Sequence, residues 1–320
     1  MTKSNMKSGS DVPVLFIVFN RPDHAAKVFE AIKKNKPKKL FIAADGPRIN
    51  NEKDERQCEE TKALIELIDW PCDLQTRFLD ENLGCKLAVS SAISWFFEHV
   101  EHGIILEDDC VPNLSFFTFC AEVLEKYRDD ERIMQISGNN FTHGKHNNDA
   151  SYYFSTLNDI WGWATWRRAW KHFELSMPGY STFKRKNLLN TYIGNPKIVK
   201  WLELYFNDTF KVGSSVWSSQ WTYAMARNNG LTIVPSLNLV RNIGFDELGT
   251  HKLVDSWNYY NDYPVVEMKS ITHPEFMVPD REAEKLRFEV IRKTDPRMFI
   301  KNRLRRHLNS LYKKISQVFD

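Results

Sequence analysis

Features that would mark several protein classes are missing from this sequence. The longest apolar run, residues 12–19, is far shorter than the roughly 20 residues of a transmembrane helix. The five cysteines form no CxxC pair and no cysteine–histidine set at zinc spacing, and their odd number does not suit a closed disulfide framework. The polar first 11 residues lack the apolar core of a secretory signal. We therefore expect a cytoplasmic protein with reduced thiols, and no integral membrane protein.

A large excess of one charge is also missing. The 44 Lys and Arg residues nearly balance the 41 Asp and Glu residues, so the net charge is +3, and we expect no nucleic-acid partner. The basic residues are concentrated at the end of the chain, where residues 297–320 contain seven of them and one acid. With 42% hydrophobic and 27% charged residues, the composition is typical of a globular protein and excludes a disordered one.

Strand-like and helix-like patterns alternate over the first 140 residues. Apolar runs predict strands at residues 13–19, 40–44, 74–78, 103–106 and 133–137. Apolar stripes predict helices at residues 23–34, 55–68, 86–100 and 114–127. This alternation predicts an α/β fold with an open, mainly parallel sheet and helices on both faces. After residue 138 the pattern changes, and residues 151–250 suggest an α+β half over the carboxyl edge of the sheet.

The glycine-rich loops of common nucleotide sites are absent. The turn after the first strand reads FNRPD, where a dinucleotide-binding protein would carry GxGxxG. A P-loop GxxxxGK[ST] and the glycine- and arginine-rich first loop of a sugar nucleotidyltransferase are also missing. NAD, FAD and P-loop ATP chemistry are therefore not expected.

Charged residues stand where the predicted strands end, which is the edge of such sheets that binds ligands. They are Arg21, Asp45 and the cluster Glu107-Asp108-Asp109. Three neighbouring acids beside a buried strand repel one another unless a positive group lies among them. Mg²⁺ or Mn²⁺, which bind oxygen ligands, would supply it. The alternative is a solvated acidic loop in which Asp109 or Asn113 caps the next helix.

Several segments together resemble a known family. They are PVLFIVFNRPD, AADGP, NLGCKLA, LEDDCVPNLSFF, SGNN, WGWATWRRAW, WSSQW and NLVRNIGFDELGTH. They resemble a bacterial family of GT-A glycosyltransferases, some labelled hemolytic-protein-like, over roughly residues 12–255. The order of elements is similar to that of the animal N-acetylglucosaminyltransferase I family. The resemblance implies a GT-A fold and a UDP-sugar donor with Mn²⁺ or Mg²⁺, and a glycan or lipid-linked acceptor.

The resemblance also implies roles for matching residues. Arg21 and Asp45 would contact the uridine, its ribose or phosphate, and Lys86 would face the nucleotide. Glu107 and Asp108 would frame the ribose and the waters of the metal, and Asp109 would bind the metal directly. His251 would lie on a loop that closes over the diphosphate. The implied organisation is a flexible N-terminus (residues 1–11), a nucleotide-sugar-binding half (12–140), an acceptor half (141–275) and a C-terminal helical tail (276–320).

Tryptophans mark the expected acceptor side. Trp163, Trp166 and Trp170 follow helical spacing, which predicts a helix with one face in the core. Trp161 precedes that helix, and Trp217 has a comparable position, so a sugar could stack on either indole ring.

The sequence departs from the related enzymes at the residue that removes the acceptor proton. In the N-acetylglucosaminyltransferases an aspartate follows a tryptophan, but here Ser218 follows Trp217. A serine hydroxyl cannot act as a base at neutral pH. Asp159 and Asp246 are the candidates for the base of an inverting transfer, with Asp159 slightly ahead. The alternative is a catalytically idle protein that binds a glycan or a nucleotide.

The basic end of the chain predicts an amphipathic helix. Its apolar stripe comprises Ile300, Leu304, Leu308, Leu311, Ile315 and Val318. Basic residues flank the stripe, so the helix could lie on an anionic membrane surface and make the protein peripheral on the inner face of the membrane. The alternative is that the stripe packs onto the body or onto a second subunit.

Overall fold

A computed structural model of the chain describes residues 8–142, 144–146, 149–212, 215–245 and 263–294. Asp246, His251 and the expected amphipathic helix at residues 300–318 lie outside these ranges, so the predictions about them stay predictions. Within the described ranges, no helix combines the length and the apolar character that crossing a bilayer requires.

The described residues form ten strands, eight of which join in one sheet. The strands are β1 (Val14–Val18), β2 (Lys39–Ala44), β3 (Asp73–Phe78), β4 (His102–Glu107), β5 (Cys110–Pro112), β6 (Ile133–Ser137), β7 (Tyr152–Ser155), β8 (Trp163–Trp166), β9 (Leu231–Pro235) and β10 (Val240–Asn242). The sheet order is β3-β2-β1-β4-β8-β6-β9-β7. Only β7 and β8 run antiparallel to their neighbours in that sheet, while β5 and β10 form a separate antiparallel pair.

Helices cover both faces of the sheet. In the described residues they are α1 (Pro22–Asn35), α2 (Glu52–Lys62), α3 (Gly84–His99), α4 (Leu114–Lys126), α5 (Arg167–Trp170), α6 (Tyr180–Arg185), α7 (Leu188–Ile193), α8 (Pro196–Val212), α9 (Ser218–Arg227) and α10 (Arg281–Thr294). Residues of α1 and α4 pack in one core cluster, and residues of α3, α5 and α9 pack in a second. The predicted fold class, an open and mainly parallel α/β sheet between two helical layers, is confirmed.

Strand β1 shows why the first apolar run is continuous. Its side chains alternate between the two faces, so that Phe16 joins the cluster of α1 and α4 while Ile17 joins that of α3. All five residues of β1 are buried. A central parallel strand covered on both faces has no solvent-facing side, which explains the absence of polar residues.

The predicted helix over the tryptophans is wrong at its start. Trp163 and Trp166 lie on strand β8, which pairs with β4 and with β6, and the helix α5 begins only after them. Trp163 packs in the cluster of α3, and Trp166 packs in the cluster of α1 and α4. Pairing with strands on both sides therefore decides the conformation, although the spacing of the tryptophans also suits a helix.

Helix α10 packs against the sheet and the helices of the second half. Ala283 and Phe288 are buried. The carboxylate of Glu284 accepts hydrogen bonds from the backbone N–H and the hydroxyl of Thr156, at 2.6 and 2.7 Å, at the end of β7. Arg287 and Ile291 of the same helix line the cavity described below. The division of the chain at residue 276 stays a prediction.

Candidate functional site

A cavity of about 1040 Å³ lies at the carboxyl ends of strands β1–β4. Eight of the predicted site residues line it, and five of them lie at this edge of the sheet: Arg21 after β1, Asp45 after β2, and Glu107, Asp108 and Asp109 at the end of β4. They meet because β2, β1 and β4 are neighbouring parallel strands, whose carboxyl ends share one edge of the sheet.

Arg21 binds two of the acids. Its guanidinium forms an ion pair with Asp108, in which Nε donates to Oδ2 at 3.2 Å, and its Nη2 donates to Oδ2 of Asp109 at 3.0 Å. The Arg21 side chain is 17% exposed. Burial lowers the pKa of Arg21, but the charges of Asp108 and Asp109 outweigh it and raise the pKa overall. Arg21 is therefore a fixed cation of the site.

One guanidinium does not balance three carboxylates. Burial, followed by the charges of Asp109 and Asp108, raises the pKa of Glu107 to about 8. Burial also outweighs Arg21 at Asp108, so the pKa of Asp108 is raised. The excess of negative charge and the all-oxygen donor set fit a hard divalent cation. In the described ranges, no group of three or more His, Cys, Asp and Glu side chains has the geometry to bind a metal ion by itself. Magnesium, however, typically binds only one or two carboxylates, and phosphates and water provide its other ligands.

Asp109 is positioned by the small sheet of β5 and β10. Its backbone carbonyl accepts from the N–H of Ile243 at 2.8 Å, and Asn242 donates to its Oδ1 at 3.4 Å. Gly244 packs so closely that a Cβ at this residue would overlap the Asp109 carboxylate. The segment 242–244 was part of the resembling motif NLVRNIGFDELGTH, but its contact with Asp109 depends on pairing across more than 100 residues. Sequence reasoning therefore missed it.

The carboxylate of Asp45 is surrounded by donors of the chain. Oδ1 accepts from the N–H groups of Gly46 at 3.0 Å and Leu83 at 2.9 Å, and Oδ2 accepts from Gly84 N–H at 3.1 Å and the Asn82 amide at 2.9 Å. Burial raises the pKa of Asp45, and these backbone N–H groups oppose the rise. Asp45 therefore holds the start of α3 against the end of β2. Its direct contact with a ligand stays a prediction.

Two further arginines line the same part of the cavity. Arg48 forms an ion pair with the buried Asp54, which also accepts from Asn20 at 2.8 Å. The half-buried guanidinium of Arg77 on β3 makes neither a hydrogen bond nor an ion pair with any residue the structure describes. The sequence signal for Arg77 was its place near the end of a predicted strand. Asp54 balances the charge of Arg48, so of these two arginines it is Arg77 that adds positive charge to this part of the cavity.

Lys86 does not join this group. Helix α3 presents Cys85, Ala88 and Val89 to the cavity, whereas Lys86 is half-buried outside the lining. Cys85 is exposed by its accessible surface, but it lies within the cavity, where desolvation, followed by the charge of Glu107, raises the pKa of its thiol. Contact of Lys86 with a nucleotide stays a prediction.

Asp159 lies on the other side of the cavity and is ion-paired. Both of its oxygens bind the guanidinium of Arg287 from α10, with Nε at 3.1 Å from Oδ2. Each side chain is 14% exposed, and the Arg287 guanidinium also lies 4.4 Å from the ring centroid of Phe141. No sequence signal pointed to Arg287, because residue 287 is more than 100 positions from residue 159. The role of Asp159 as a base stays a prediction.

The two predicted acceptor tryptophans differ in exposure. Trp161 is half-buried in the lining and packs edge-to-face with Phe141 and Phe245, at centroid distances of 5.5 and 5.2 Å. Trp217 is only 2% exposed and stacks on Trp163 at 5.7 Å. Packing in the core therefore accounts for Trp217, and its contact with an acceptor stays a prediction.

Comparisons with known proteins give similarities of fold only. No protein-family model and no curated protein matches the chain. Among solved structures, it is similar to the mannosyltransferase PcManGT from Pyrobaculum calidifontis in complex with GDP-Man and Mn²⁺, at 13% identity over 51% of this chain and 48% of that chain, with a TM-score of 0.34. It is also similar to GalNAc-T7 with UDP, GalNAc and Mn²⁺, at 10% identity over 72% and 43%, with a TM-score of 0.42.

A third similar structure is mouse xyloside xylosyltransferase 1, at 12% identity over 67% of this chain and 80% of that chain, with a TM-score of 0.28. The chain spans less than half the length of the first two proteins. All three TM-scores lie below 0.5, so the fold assignment rests on the sheet topology described above.

Proposed function

We propose that the protein is a metal-dependent glycosyltransferase that moves a sugar from a UDP-sugar to a glycan or lipid-linked acceptor with inversion. The observation that carries the proposal is the acidic cluster Glu107-Asp108-Asp109 around Arg21, in a large cavity at the carboxyl edge of a parallel sheet. A sugar nucleotide offers a diphosphate and a polar sugar, which suit a divalent cation and polar side chains in such a cavity. The uridine preference is supported by the resemblance of the sequence motifs.

Different residues of the cavity would bind different parts of the donor. Asp109 would bind Mn²⁺ or Mg²⁺, and Glu107 and Asp108 would orient the ribose and the waters of the ion. When bound, the ion would stabilise the negative charge of the departing diphosphate as a Lewis acid. Arg77 adds a positive charge on the side of Asp45, which would be available to the phosphates of the donor.

The first experiment measures UDP release from UDP-glucose, UDP-galactose and UDP-N-acetylglucosamine with Mn²⁺ or with EDTA. We expect release only with the metal. Asp109→Ala should abolish metal-dependent binding of UDP in titration calorimetry and leave the fold intact, because it removes a ligand and relieves repulsion between acids. The matched control is Glu30→Ala, an exposed acid on α1 outside the cavity.

Two outcomes would contradict parts of the proposal. If Asp109→Ala binds UDP as tightly as the wild-type protein in Mn²⁺, the metal assignment is wrong. If the wild-type protein binds UDP-sugars with Mn²⁺ but releases no UDP, the protein is a binding protein on the same fold. The observation that favours this second function, binding without transfer, is the serine at position 218, where the enzymes that the sequence resembles have their base.

A further inference from the structure

Helix α8 presents a distinct set of side chains to the cavity. Trp201, Tyr205 and Asp208 follow i, i+4, i+7 spacing, which places them within an arc of about 60° on one side of the helix. All three line the cavity. Leu202 and Phe206 of the same helix are buried in the core of the second half, so that packing fixes which side faces the cavity.

The two aromatic rings stack on each other and together form an aromatic surface on the wall of the cavity. The Trp201 and Tyr205 rings are stacked with an angle of 5° between their planes and 6.0 Å between their centroids. Both residues are half-buried, and Phe288 of α10 packs against Trp201 at 6.4 Å. A pyranose has an apolar face of C–H groups and a polar rim of hydroxyls. The C–H face can pack on such rings while the hydroxyls reach polar neighbours.

Polar groups surround this surface. The hydroxyls of Tyr205 and Ser218 are 2.7 Å apart, and Thr222 donates to Oδ1 of Asn158 at 3.0 Å. Asp208 is exposed, and its carboxylate makes no hydrogen bond or ion pair with any residue in the described ranges. Asp159, by contrast, is bound by Arg287 through both oxygens. Asp208 is therefore the acid on this side of the cavity whose oxygens are open to a ligand.

We infer that this side of α8 is the subsite for an acceptor sugar, with Trp201 and Tyr205 as the stacking surface and Asp208 as the base. The inference rests on the proposed function. As the acceptor oxygen forms its bond to the anomeric carbon, its proton passes to the Asp208 carboxylate. The bond from that carbon to the diphosphate breaks, and the nucleoside diphosphate leaves with the electron pair. Ser218 has no carboxylate to act as the base, and in this arrangement Asp208 of the preceding helix α8 provides one.

The first test measures sugar binding by saturation-transfer NMR with methyl glucoside, methyl galactoside and methyl N-acetylglucosaminide as probes. We expect transfer to at least one pyranoside in the wild-type protein and at least a fivefold loss in Trp201→Leu, which keeps apolar bulk against Phe288 but removes the ring. Trp201→Phe should retain most of the signal. Phe276→Ala, which removes a 70% exposed ring away from the cavity, should change nothing.

The second test measures UDP release, in which water takes the place of the acceptor. Asp208→Asn should lower the rate by roughly 10²- to 10⁴-fold, the usual contribution of a general base. The affinity for UDP with Mn²⁺ should stay within twofold of the wild-type value, because Asp208 lies on α8 and the acidic cluster lies at the end of β4. Asp159→Asn is the comparison, and we expect a smaller effect on the rate from it.

The outcomes separate this inference from the proposed function. Three results would overturn the acceptor subsite while metal-dependent UDP binding persists. They are equal saturation transfer in the wild-type protein and Trp201→Leu, no transfer to any of the three pyranosides, and unchanged UDP release in Asp208→Asn. Loss of metal-dependent UDP binding in the wild-type protein itself would instead overturn the proposed function. Pyranoside binding that is lost only in Trp201→Leu supports the subsite in either case.

Discussion

Arg21 illustrates how a single residue sets the charge of the cavity. Its guanidinium bridges Asp108 and Asp109, which follow a neighbouring strand, and leaves Glu107 without a direct partner in the described ranges. A positive group at this place reduces the repulsion among the acids but does not remove it. The cluster therefore keeps an excess of negative charge, which a bound divalent cation would balance, as the proposed function requires.

Arg287 and Asp159 form the second ion pair of the cavity. Since each side chain is only 14% exposed, removing one partner leaves a poorly solvated charge. We expect Arg287→Met to lower the free energy of unfolding by about 2 kcal/mol, the usual contribution of hydrogen bonds to a charged group, and Asp159→Asn to do the same. In urea unfolding, the double variant should lose clearly less than the sum of the two single variants.

Additive effects of these two substitutions would mean that the pair contributes no stability. Arg227→Met is a suitable control, because its ion pair with Glu174 lies outside the cavity and the Glu174 side chain is 48% exposed. Exposed pairs contribute only about 0–1 kcal/mol, so this control should change stability little.

At the level of elements, the contact between β2 and α3 shapes the cavity. α3 begins without a side-chain cap from its own N-cap residue, Leu83. Asp45, nearly 40 residues earlier in the sequence, accepts from the N–H groups of Leu83 and Gly84 instead. A carboxylate at this end of a helix also suits the positive end of the helix dipole.

Removing the Asp45 carboxylate should weaken this contact. Asp45→Ala removes the acceptor of the Gly46, Leu83 and Gly84 N–H groups and one of the two acceptors of the Asn82 amide, and we expect a loss of about 3 kcal/mol in the free energy of unfolding. Asp45→Asn keeps one carbonyl oxygen and should lose less. Urea unfolding of both variants measures the order, and equal stability of Asp45→Ala and the wild-type protein would refute the positioning role.

For the whole molecule, the prediction that the cavity is held near a membrane depends on the C-terminal segment. α10 packs on the body through Phe288 and Glu284, so a chain that ends at residue 295 keeps this helix. Residues 296–320, which the structure does not describe, carry the basic residues and the apolar stripe of the predicted amphipathic helix. Each Lys or Arg near an anionic surface adds about 1 kcal/mol of attraction, which salt weakens.

We expect the full-length protein to sediment with vesicles that contain phosphatidylserine, and the chain that ends at residue 295 to stay in the supernatant. Binding of the full-length protein should fall as salt is raised and should be weak on neutral phosphatidylcholine vesicles. Equal sedimentation of the two chains, or sedimentation that salt does not change, would contradict a membrane role. A concentration-dependent increase in mass that only the full-length chain shows would indicate a second subunit instead.

Much of the fold was predictable because its signals are local. The apolar run of β1 and the helical stripes of α1 and α4 depend on neighbours in the sequence, and Asn113 caps α4 as one of the two alternatives predicted. The conformation of Trp163 and Trp166 was not predictable in this way. Their spacing fits a helix, and only pairing with β4 and β6 makes them a strand.

Local patterns are enough to place these acids and this arginine at the carboxyl ends of the strands, because strand ends follow from such patterns and parallel strands share one edge. The partners of those side chains, by contrast, follow from the tertiary structure. It binds Asp45 to the start of α3, Asp159 to Arg287, and it places Trp201 and Asp208 on a wall of the same cavity. These contacts join residues tens to more than a hundred positions apart, and the packing that fixes them has no counterpart in any local pattern of the sequence.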